Sequence, residues 1–285
     1  MSPSCSAKDS SYYWSALALN TSELDNTFPG VDGILLNVMS WDIIRLSIVD
    51  STQTWARRLA EIGKGAGTVI VAEAQTAGKG RQDRTWSSLQ GGLYLTAVME
   101  PHPQVGLMPL LASVAVSEVI MDRTGLKPSL KWPNDVLVDG RKVAGILIDS
   151  VWQGSSPVYI LVGIGVNLNN PLPDSIIAGT SISKLSGEEV DIDTFLHHLL
   201  ERMTILVNHL DTDPGEVINR WRELSVTIGQ EITLRVESGA ILRGVAVDID
   251  SDGALLLEDG ESVRKVLSGT ILGGNVKSSG CMPTI

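Results

Sequence analysis

Apolar and polar residues along the chain follow patterns that predict a mixed α/β domain ahead of a small all-β domain. The β-branched run TVIVAE, residues 68–73, and the run VYILVGIGVNLN, residues 158–169, have the length of strands. The segment MPLLASVAVSEVIMDRTG, residues 108–125, is long enough for a helix and apolar around most of its circumference. Such a helix is predicted to lie buried against a sheet.

The first regular elements are predicted only after residues 1–40, which are rich in Ser, Asp and Gly and show no sustained period. This N-terminal extension is predicted to be loosely structured. A helix is predicted to begin at a cap formed by Asp50 or Ser51 and to end at Gly63. Its predicted apolar face consists of Trp55, Leu59 and Ile62.

A β-hairpin is predicted within LKWPNDVLVDGRKVAGILIDS, residues 130–150, folded at Asp139 and Gly140. Simple alternation along its second strand predicts two faces, formed by Lys142, Ala144 and Ile146 and by Val143, Gly145 and Leu147. A lysine within an apolar strand either extends its ammonium to the strand end or has a chemical role.

The pattern changes after Leu224 to short alternating strands separated by glycine turns, which predicts a β barrel of about 60 residues. Three parts follow from this organisation: the extension 1–40, a mixed α/β domain 41–224 and a β domain 225–285.

Composition narrows the function classes. The 285 residues are 43% hydrophobic, and 22 Lys and Arg against 33 Asp and Glu give a formal net charge of −11. This charge disfavours general binding to a phosphate backbone. The two cysteines, Cys5 and Cys281, and the adjacent His197 and His198 predict neither a disulfide framework nor a transition-metal site. No apolar run of about 18 residues and no leader pattern is found, so we expect a cytoplasmic protein without membrane contact.

The most concentrated chemistry lies in EAQTAGKGRQDRTWSS, residues 73–88. It does not match the phosphate-binding loop of nucleotide triphosphatases, and GIG at residues 163–165 lacks the third glycine of a dinucleotide fingerprint. Glycines allow close backbone approach to a ligand, while Lys79, Arg81 and Arg84 present positive charge to a carboxylate or phosphate. Taken alone, this stretch is explained equally well as a ligand-binding loop and as a solvated basic loop with a half-buried tryptophan.

Five motifs in order decide between these interpretations. They are STQ (51–53), QTAGKGRQDRTW (75–86), KWPND (131–135), RKVAGIL (141–147) and GIGVNLN (163–169). Together they resemble the biotin–protein ligase family over about residues 41–270. The resemblance implies an α+β fold, with a mixed-sheet class II synthetase-like catalytic domain and a small C-terminal SH3-like β barrel.

The resemblance also implies a two-step ligase reaction. Biotin and MgATP give biotinyl-5′-AMP and pyrophosphate, and the biotinyl group then passes to a lysine of a biotin carboxyl carrier protein or domain of a biotin-dependent carboxylase. Positioning and fixed cations suit this chemistry, since two anions must be brought together.

The site residues that the resemblance implies fall into four groups. Lys142 and Arg81 are the expected electrostatic catalysts. The biotin-binding set is Ser51, Thr52, Gln53, Gln75, Lys79, Gly80, Arg81, Lys142 and Gly145, with the first four at the ureido ring. The nucleotide-binding set is Arg81, Arg84, Trp86, Asn134 and Asn167, with Trp86 stacking on adenine. Asp135 is expected to help hold Mg²⁺ or to orient Lys142.

Four positions depart from the family pattern. Lys79 stands where an arginine is common, and Asp83 stands where a glycine is common, so Asp83 is expected either to strain the loop or to brace a neighbouring arginine. Thr270 and Gly274 occupy the places of an acid and an arginine in the C-terminal domain. A role of that domain in handling ATP or the acceptor is therefore open.

Two alternatives remain. A lipoate–protein ligase has a similar fold and also forms an acyl-adenylate, and a non-enzymatic biotin-binding regulatory module would belong to another class. Some family members carry an N-terminal DNA-binding domain, but residues 1–40 hold one lysine and four acids, so we expect no DNA binding. A homodimer is possible, and the sequence does not decide it.

Overall fold

The computed structural model describes residues 40–154, 156–173, 175–260 and 262–274. The predicted N-terminal extension, apart from Ser40, lies outside these residues.

The larger part of the described chain is built on a seven-stranded sheet with the order β1-β2-β3-β7-β6-β5-β4. Its strands are β1 (Asp42–Val49), β2 (Thr68–Gln75), β3 (Leu93–Met99), β4 (Pro128–Lys131), β5 (Asp135–Val138), β6 (Arg141–Gln153) and β7 (Ser156–Val166). β1 and β2 are parallel, whereas the other neighbours are antiparallel. This mixed sheet confirms the predicted α+β class.

Five helices accompany the sheet: α1 (Thr52–Glu61), α2 (Met108–Thr124), α3 (Ile182–Ser186), α4 (Ile192–Thr212) and α5 (Pro214–Leu224). The predicted burial of α2 is confirmed, because it packs between the sheet, α4 and α5. Length and composition alone would let Val105–Thr124 cross a membrane, and 67% of that window is buried within the fold. The expectation that no apolar segment reaches spanning length is corrected accordingly.

The predicted apolar face of α1 is partly right. Trp55 and Leu59 are partly buried and pack against a core cluster, whereas Ile62 is 78% exposed. The residues that α1 buries most deeply include Ala56 and Ala60, which pack towards β3 and β7. Small side chains let the helix backbone come close to the sheet, which bulky ones would prevent. The end of the helix is as predicted, with Gly63 at a φ of +92° just after the last turn.

The hairpin turn at Asp139 and Gly140 is confirmed, since both residues have positive φ, as a type I′ turn requires. The predicted faces of β6 are wrong. Pairing with β5 shifts register after Lys142, which leaves Val143 as an extra residue, a β-bulge. A Cβ built on Gly145 would lie 3.2 Å from the Lys142 Nζ, so the bulge brings this lysine to the face of Gly145.

The C-terminal domain is a five-stranded antiparallel sheet with the order β11-β10-β9-β8-β12, here called the C-terminal sheet. Its strands are β8 (Glu231–Val236), β9 (Ile241–Ile249), β10 (Leu255–Glu258), β11 (Val263–Val266) and β12 (Gly269–Gly274). This sheet is consistent with the predicted barrel. Among the described strands no hydrogen-bonded pair joins β11 to β12, so closure into a barrel stays a prediction.

Candidate active site

One cavity of about 280 Å³ lies between β6, β7 and the loop of residues 76–92, here called the ligand loop. Every site residue expected from the sequence lines this cavity except Asp135, which contacts Lys142 directly. The lining therefore includes Ser51, Thr52, Gln53, Gln75, Lys79, Gly80, Arg81, Arg84, Trp86, Asn134, Lys142, Gly145 and Asn167. The fold thus assembles in one place residues that are spread over more than a hundred positions of sequence.

A buried polar network forms one end of the cavity. The Gln75 Oε1 accepts from the backbone N–H of Thr52 at 2.8 Å, and the Gln75 Nε2 donates to the Ser88 hydroxyl at 2.7 Å. The Thr96 hydroxyl lies 2.9 Å from the Thr52 hydroxyl and 3.1 Å from the Gln53 Oε1. Because each amide has fixed partners, the network presents donors and acceptors in set directions.

The polar end of the cavity includes Thr96, which the sequence did not indicate, and Ser51, which it did. Thr96 was missed, although it is a single polar residue in the apolar run GLYLTAVME and is fully buried. Ser51 occupies the N-cap position of α1, but its side chain makes no capping hydrogen bond. Its hydroxyl is therefore left for a ligand in the cavity, which Ser51 lines.

The floor of the cavity is glycine. Gly163 and Gly165 lie on one face of β7, and Gly145 of β6 pairs with Gly165. A Cβ on Gly163 would meet the Gln53 Oε1 at 2.5 Å, and a Cβ on Gly165 would meet the Trp86 Nε1 at 2.5 Å. Sequence reasoning used GIG as part of a family motif but assigned no site role to its glycines. The structure shows that these glycines make room for two site side chains.

Trp86 lies across this floor between the polar network and Lys142. The built Cβ positions of Gly165 and Gly145 approach its pyrrole and benzene parts, respectively. The Lys142 Nζ stands 5.1 Å from the indole centroid. The Trp86 Nε1 is buried and has no hydrogen-bond partner among the described residues, so it is available as a donor.

Lys142 is held on three sides. Its ammonium forms an ion pair with Asp135, and its backbone N–H donates to the Ala178 carbonyl at 2.8 Å. The Lys142 carbonyl accepts from the Thr180 N–H at 3.0 Å. Lys142 is the second residue of β6 and its side chain is 31% exposed, so its position is fixed by these partners and not by burial alone. The pairing favours Asp135 as the group that orients Lys142.

The ligand loop contains a small hairpin of its own. The Gly80 N–H donates to the Arg84 carbonyl at 2.7 Å, and the Arg84 N–H donates to the Arg81 carbonyl at 3.2 Å. Gln82 and Asp83 form the tip, with φ of +53° and +57°. These angles and the hydrogen bond from Arg84 to Arg81 fit a type I′ turn, in which glycine or asparagine is usual.

Asp83 therefore occupies a left-handed position without being glycine. Within the described residues its carboxylate makes no hydrogen bond or ion pair with Arg81 or Arg84, so the bracing role is not seen. We expect Asp83 to strain the tip.

Arg81 reaches from this hairpin to two other parts of the chain. Its Nη1 donates to the Asn134 Oδ1 at 3.3 Å and to the Gly269 carbonyl at 3.2 Å, and its Nη2 donates to the Ser268 hydroxyl at 2.6 Å. These three acceptors are all neutral. Sequence reasoning did not identify Ser268 or Gly269, because a contact across 187 residues leaves no local pattern.

The electrostatics around Arg81 favour an anionic ligand. Burial lowers the pKa of its guanidinium and the neighbouring Arg84 lowers it further, while Asp135 and Glu237 act in the opposite direction. A partly buried cation that is bonded to neutral acceptors gains from an anion that completes its charge balance. With Lys79 and Lys142 on the same cavity, this end suits carboxylate and phosphate groups.

Asn167 lines the same cavity, and its side-chain amide is held in one orientation. The Asn170 Nδ2 donates to the Asn167 Oδ1 at 3.1 Å, which fixes the direction of the Asn167 amide. Its amide nitrogen has no protein partner among the described residues, so it is oriented to donate to a ligand acceptor. Asn170 is a further positioning residue that the sequence did not indicate.

The residues present do not form a resident metal site. Among the described residues no group of three or more His, Cys, Asp or Glu side chains is placed to hold an ion. Asp135 is a single carboxylate already paired with Lys142. One carboxylate is too few to hold a divalent cation without ligands from elsewhere.

Comparisons with known proteins agree with this geometry. The model of the biotin/lipoate A/B protein ligase family matches residues 46–167, and the model of the biotin protein ligase C-terminal domain matches residues 227–272. The bifunctional ligase/repressor BirA of Bacillus subtilis is 34% identical over 84% of this chain and 76% of its own length. The chain belongs to the biotin protein ligase family.

Other members of the biotin protein ligase family are similar over most of their length. The biotin–[acetyl-CoA-carboxylase] ligase of Paracoccus denitrificans is 33% identical over 78% of this chain and 96% of its own length. The Aquifex aeolicus biotin protein ligase, solved in complex with biotin and ATP, gives a TM-score of 0.72 at 31% identity, covering 81% of this chain and 97% of that one. The resemblance predicted from the five motifs is confirmed.

Proposed function

We propose that the protein forms biotinyl-5′-AMP from biotin and ATP and transfers the biotinyl group to a lysine of a biotin carboxyl carrier domain. The observation that carries this proposal is the order of groups along one cavity. A fixed polar network lies at one end, Trp86 lies in the middle, and Lys142 lies at the other side of the indole. An apolar acid with a polar head matches this order.

The polar end suits the ureido ring of biotin. A ureido group offers two N–H donors and one carbonyl acceptor, which need fixed partners when they are buried. The hydroxyls of Ser51, Thr52 and Thr96 and the amide of Gln53 supply such partners. A dithiolane, the head of lipoate, would leave these groups unpaired, which favours biotin over lipoate.

The position of Trp86 favours a revised role. Trp86 faces Gly165, which is two residues along β7 from Gly163, the glycine that faces Gln53. The indole also lies beside Lys142. The indole therefore covers the acyl part of the ligand in our proposal, instead of stacking on adenine. The adenine then falls to the region of Asn167, whose amide nitrogen donates to a ring nitrogen.

Adenylation needs no protein nucleophile. A carboxylate oxygen of biotin attacks the α-phosphorus of ATP, and the bond from that phosphorus to the bridging oxygen breaks. Pyrophosphate leaves with the electron pair. Lys142 and Arg81 hold the two anions together and stabilise the charge that develops on the phosphoryl oxygens. Asp135 keeps the ammonium of Lys142 directed into this position.

Magnesium bound to the triphosphate would neutralise part of its charge, with Asp135 the nearby protein carboxylate. In the second step the neutral amine of the acceptor lysine attacks the acyl carbon, AMP leaves with the electron pair of the broken C–O bond, and the amine loses a proton. The ligand loop must admit this amine, and in our proposal its hairpin covers the mixed anhydride until then.

Incubation with MgATP and radiolabelled biotin or lipoate, with and without a biotin carboxyl carrier domain, tests the proposal. We expect labelled adenylate from biotin alone and label on the carrier lysine when the carrier is added. Turnover of lipoate without turnover of biotin would reverse the assignment. Tight binding of biotin with no adenylate would indicate the non-enzymatic module.

Replacing Thr96 with valine is expected to weaken biotin binding about tenfold, because the single hydroxyl that Thr52 and Gln53 share is lost and a buried polar atom is left unpaired, at a cost of about 1–3 kcal/mol. Isothermal titration with biotin measures the change. Thr68→Val is the matched control, since Thr68 is also a buried strand threonine but makes no side-chain hydrogen bond among the described residues. Equal affinities for the two variants would remove Thr96 from the biotin-binding network.

A further inference from the structure

The segment that leads from the β11–β12 turn into β12 touches the tip of the ligand loop, and we propose that it acts as a latch that keeps this tip closed over the adenylate. The C-terminal latch consists of Ser268, Gly269 and Thr270. The part of the inference that concerns the adenylate rests on the proposed function, whereas closure of the loop itself does not.

Three hydrogen bonds make the contact. Arg81 donates to the Ser268 hydroxyl at 2.6 Å and to the Gly269 carbonyl at 3.2 Å. The Thr270 hydroxyl donates to the Gln82 Oε1 at 2.7 Å. The latch therefore contacts the first two residues of the turn, Arg81 and Gln82.

The turn that the latch holds is strained. Gln82 and Asp83 both have positive φ, although neither is glycine or asparagine. Such conformations persist only where surrounding contacts hold them. The latch supplies contacts of this kind, so loss of the latch should release the tip to other conformations.

The latch is itself mounted on a fixed part of the fold. The Trp132 Nε1 donates to the Gly253 carbonyl at 3.2 Å, and Arg222 of α5 forms two hydrogen bonds to the Asp248 carboxylate of β9, at 2.7 and 2.9 Å. A bidentate pair of this type fixes orientation as well as distance. The C-terminal sheet can therefore position the latch against the catalytic domain.

The chemistry of the latch leaves Arg81 free to bind an anion. Its acceptors are a hydroxyl and a carbonyl, and Thr270 replaces the acid of the family pattern. A guanidinium has five N–H donors, and the contacts described use only part of them. Arg81 can thus hold the latch and a ligand phosphate at the same time, which links occupancy of the cavity to closure of the tip.

Hydrogen exchange on the protein without ligand tests closure independently of any activity. In the double variant Ser268→Ala/Thr270→Val we expect exchange of the Gly80, Arg84 and Trp86 amides to rise about tenfold. Adding Asp83→Gly should restore much of the protection, because glycine relieves the strained turn. Ser238→Ala, an exposed turn serine of the same sheet, is the control. Unchanged exchange in the double variant would overturn the latch.

The rate of release of preformed biotinyl-5′-AMP tests whether the latch retains the adenylate. We expect the double variant to release the adenylate about tenfold faster and to label non-carrier lysines, with Asp83→Gly again compensating. If the amides exchange faster but the adenylate is released at the wild-type rate, the latch holds the loop tip but does not control retention of the adenylate. A wild-type protein that forms no adenylate would instead refute the proposed function, and the exchange result would still decide closure.

Discussion

Replacing Lys142 with alanine is expected to slow adenylate formation about a hundredfold, the usual scale for loss of one positioned charge at a reacting centre. The ammonium is on the cavity beside the indole and is directed by Asp135. Without it, two anions must approach with less compensation, and the transition state loses more than the bound substrates do. Pyrophosphate release in a single turnover measures the rate.

Two comparisons separate this effect from damage to the fold. Lys184→Ala removes an exposed lysine of α3 that has no partner among the described residues, and we expect its rate to equal the wild-type rate. Lys142→Arg keeps the charge but replaces a point donor with a planar fork, so an intermediate rate is expected. Full activity of Lys142→Ala, with an unchanged thermal transition, would exclude the lysine from the chemistry.

Most of the site could be predicted only through the resemblance that the five motifs carry. From the residues alone, Lys142 stands out as a lysine within an apolar strand, and the ligand loop stands out for its glycines and basic side chains. The structure places Lys142, Lys79 and Arg81 on one cavity. The strands, the hairpin turn and the buried helix followed from periodicity and turn chemistry alone.

Other features could not be predicted, for physical reasons that differ from case to case. The face of Lys142 depends on a one-residue bulge, and a bulge reverses the alternation without changing composition. The buried face of α1 is decided by how closely Ala56 can approach the sheet, which hydrophobicity does not rank. The contact between Arg81 and Ser268 joins distant segments, and only the folded chain shows it.

Asp83 shows what a departure from a family motif can and cannot predict. The sequence marks it as a departure from a glycine pattern, and two outcomes were open, strain or an ion pair. The structure gives the left-handed φ of +57° and no ion pair among the described residues. A departure from a motif therefore points to a position of interest without stating which interaction compensates for it.

Replacing Gly165 with alanine is expected to weaken biotin binding about a hundredfold, because a methyl group there would overlap Trp86 at 2.5 Å. The indole cannot retreat through the sheet, so it must move into the cavity that the acyl group needs. Calorimetric titration with biotin measures the affinity. Because the chain has 7 tryptophans, the fluorescence of Trp86 is taken as the difference from a Trp86→Phe variant. Gly65→Ala is the control, since its methyl group would make only an ordinary contact of 3.6 Å with Tyr159.

A double-mutant cycle shows whether the indole is the cause of this loss. If the methyl group acts by displacing the ring, Gly165→Ala should cost little once Trp86 is already alanine, and the two changes should be strongly non-additive. Additive losses would mean that the methyl group blocks biotin directly and that Trp86 does not cover the acyl group. Because Gly165 also pairs with Gly145 beside Lys142, a displaced indole should slow adenylation as well as weaken binding.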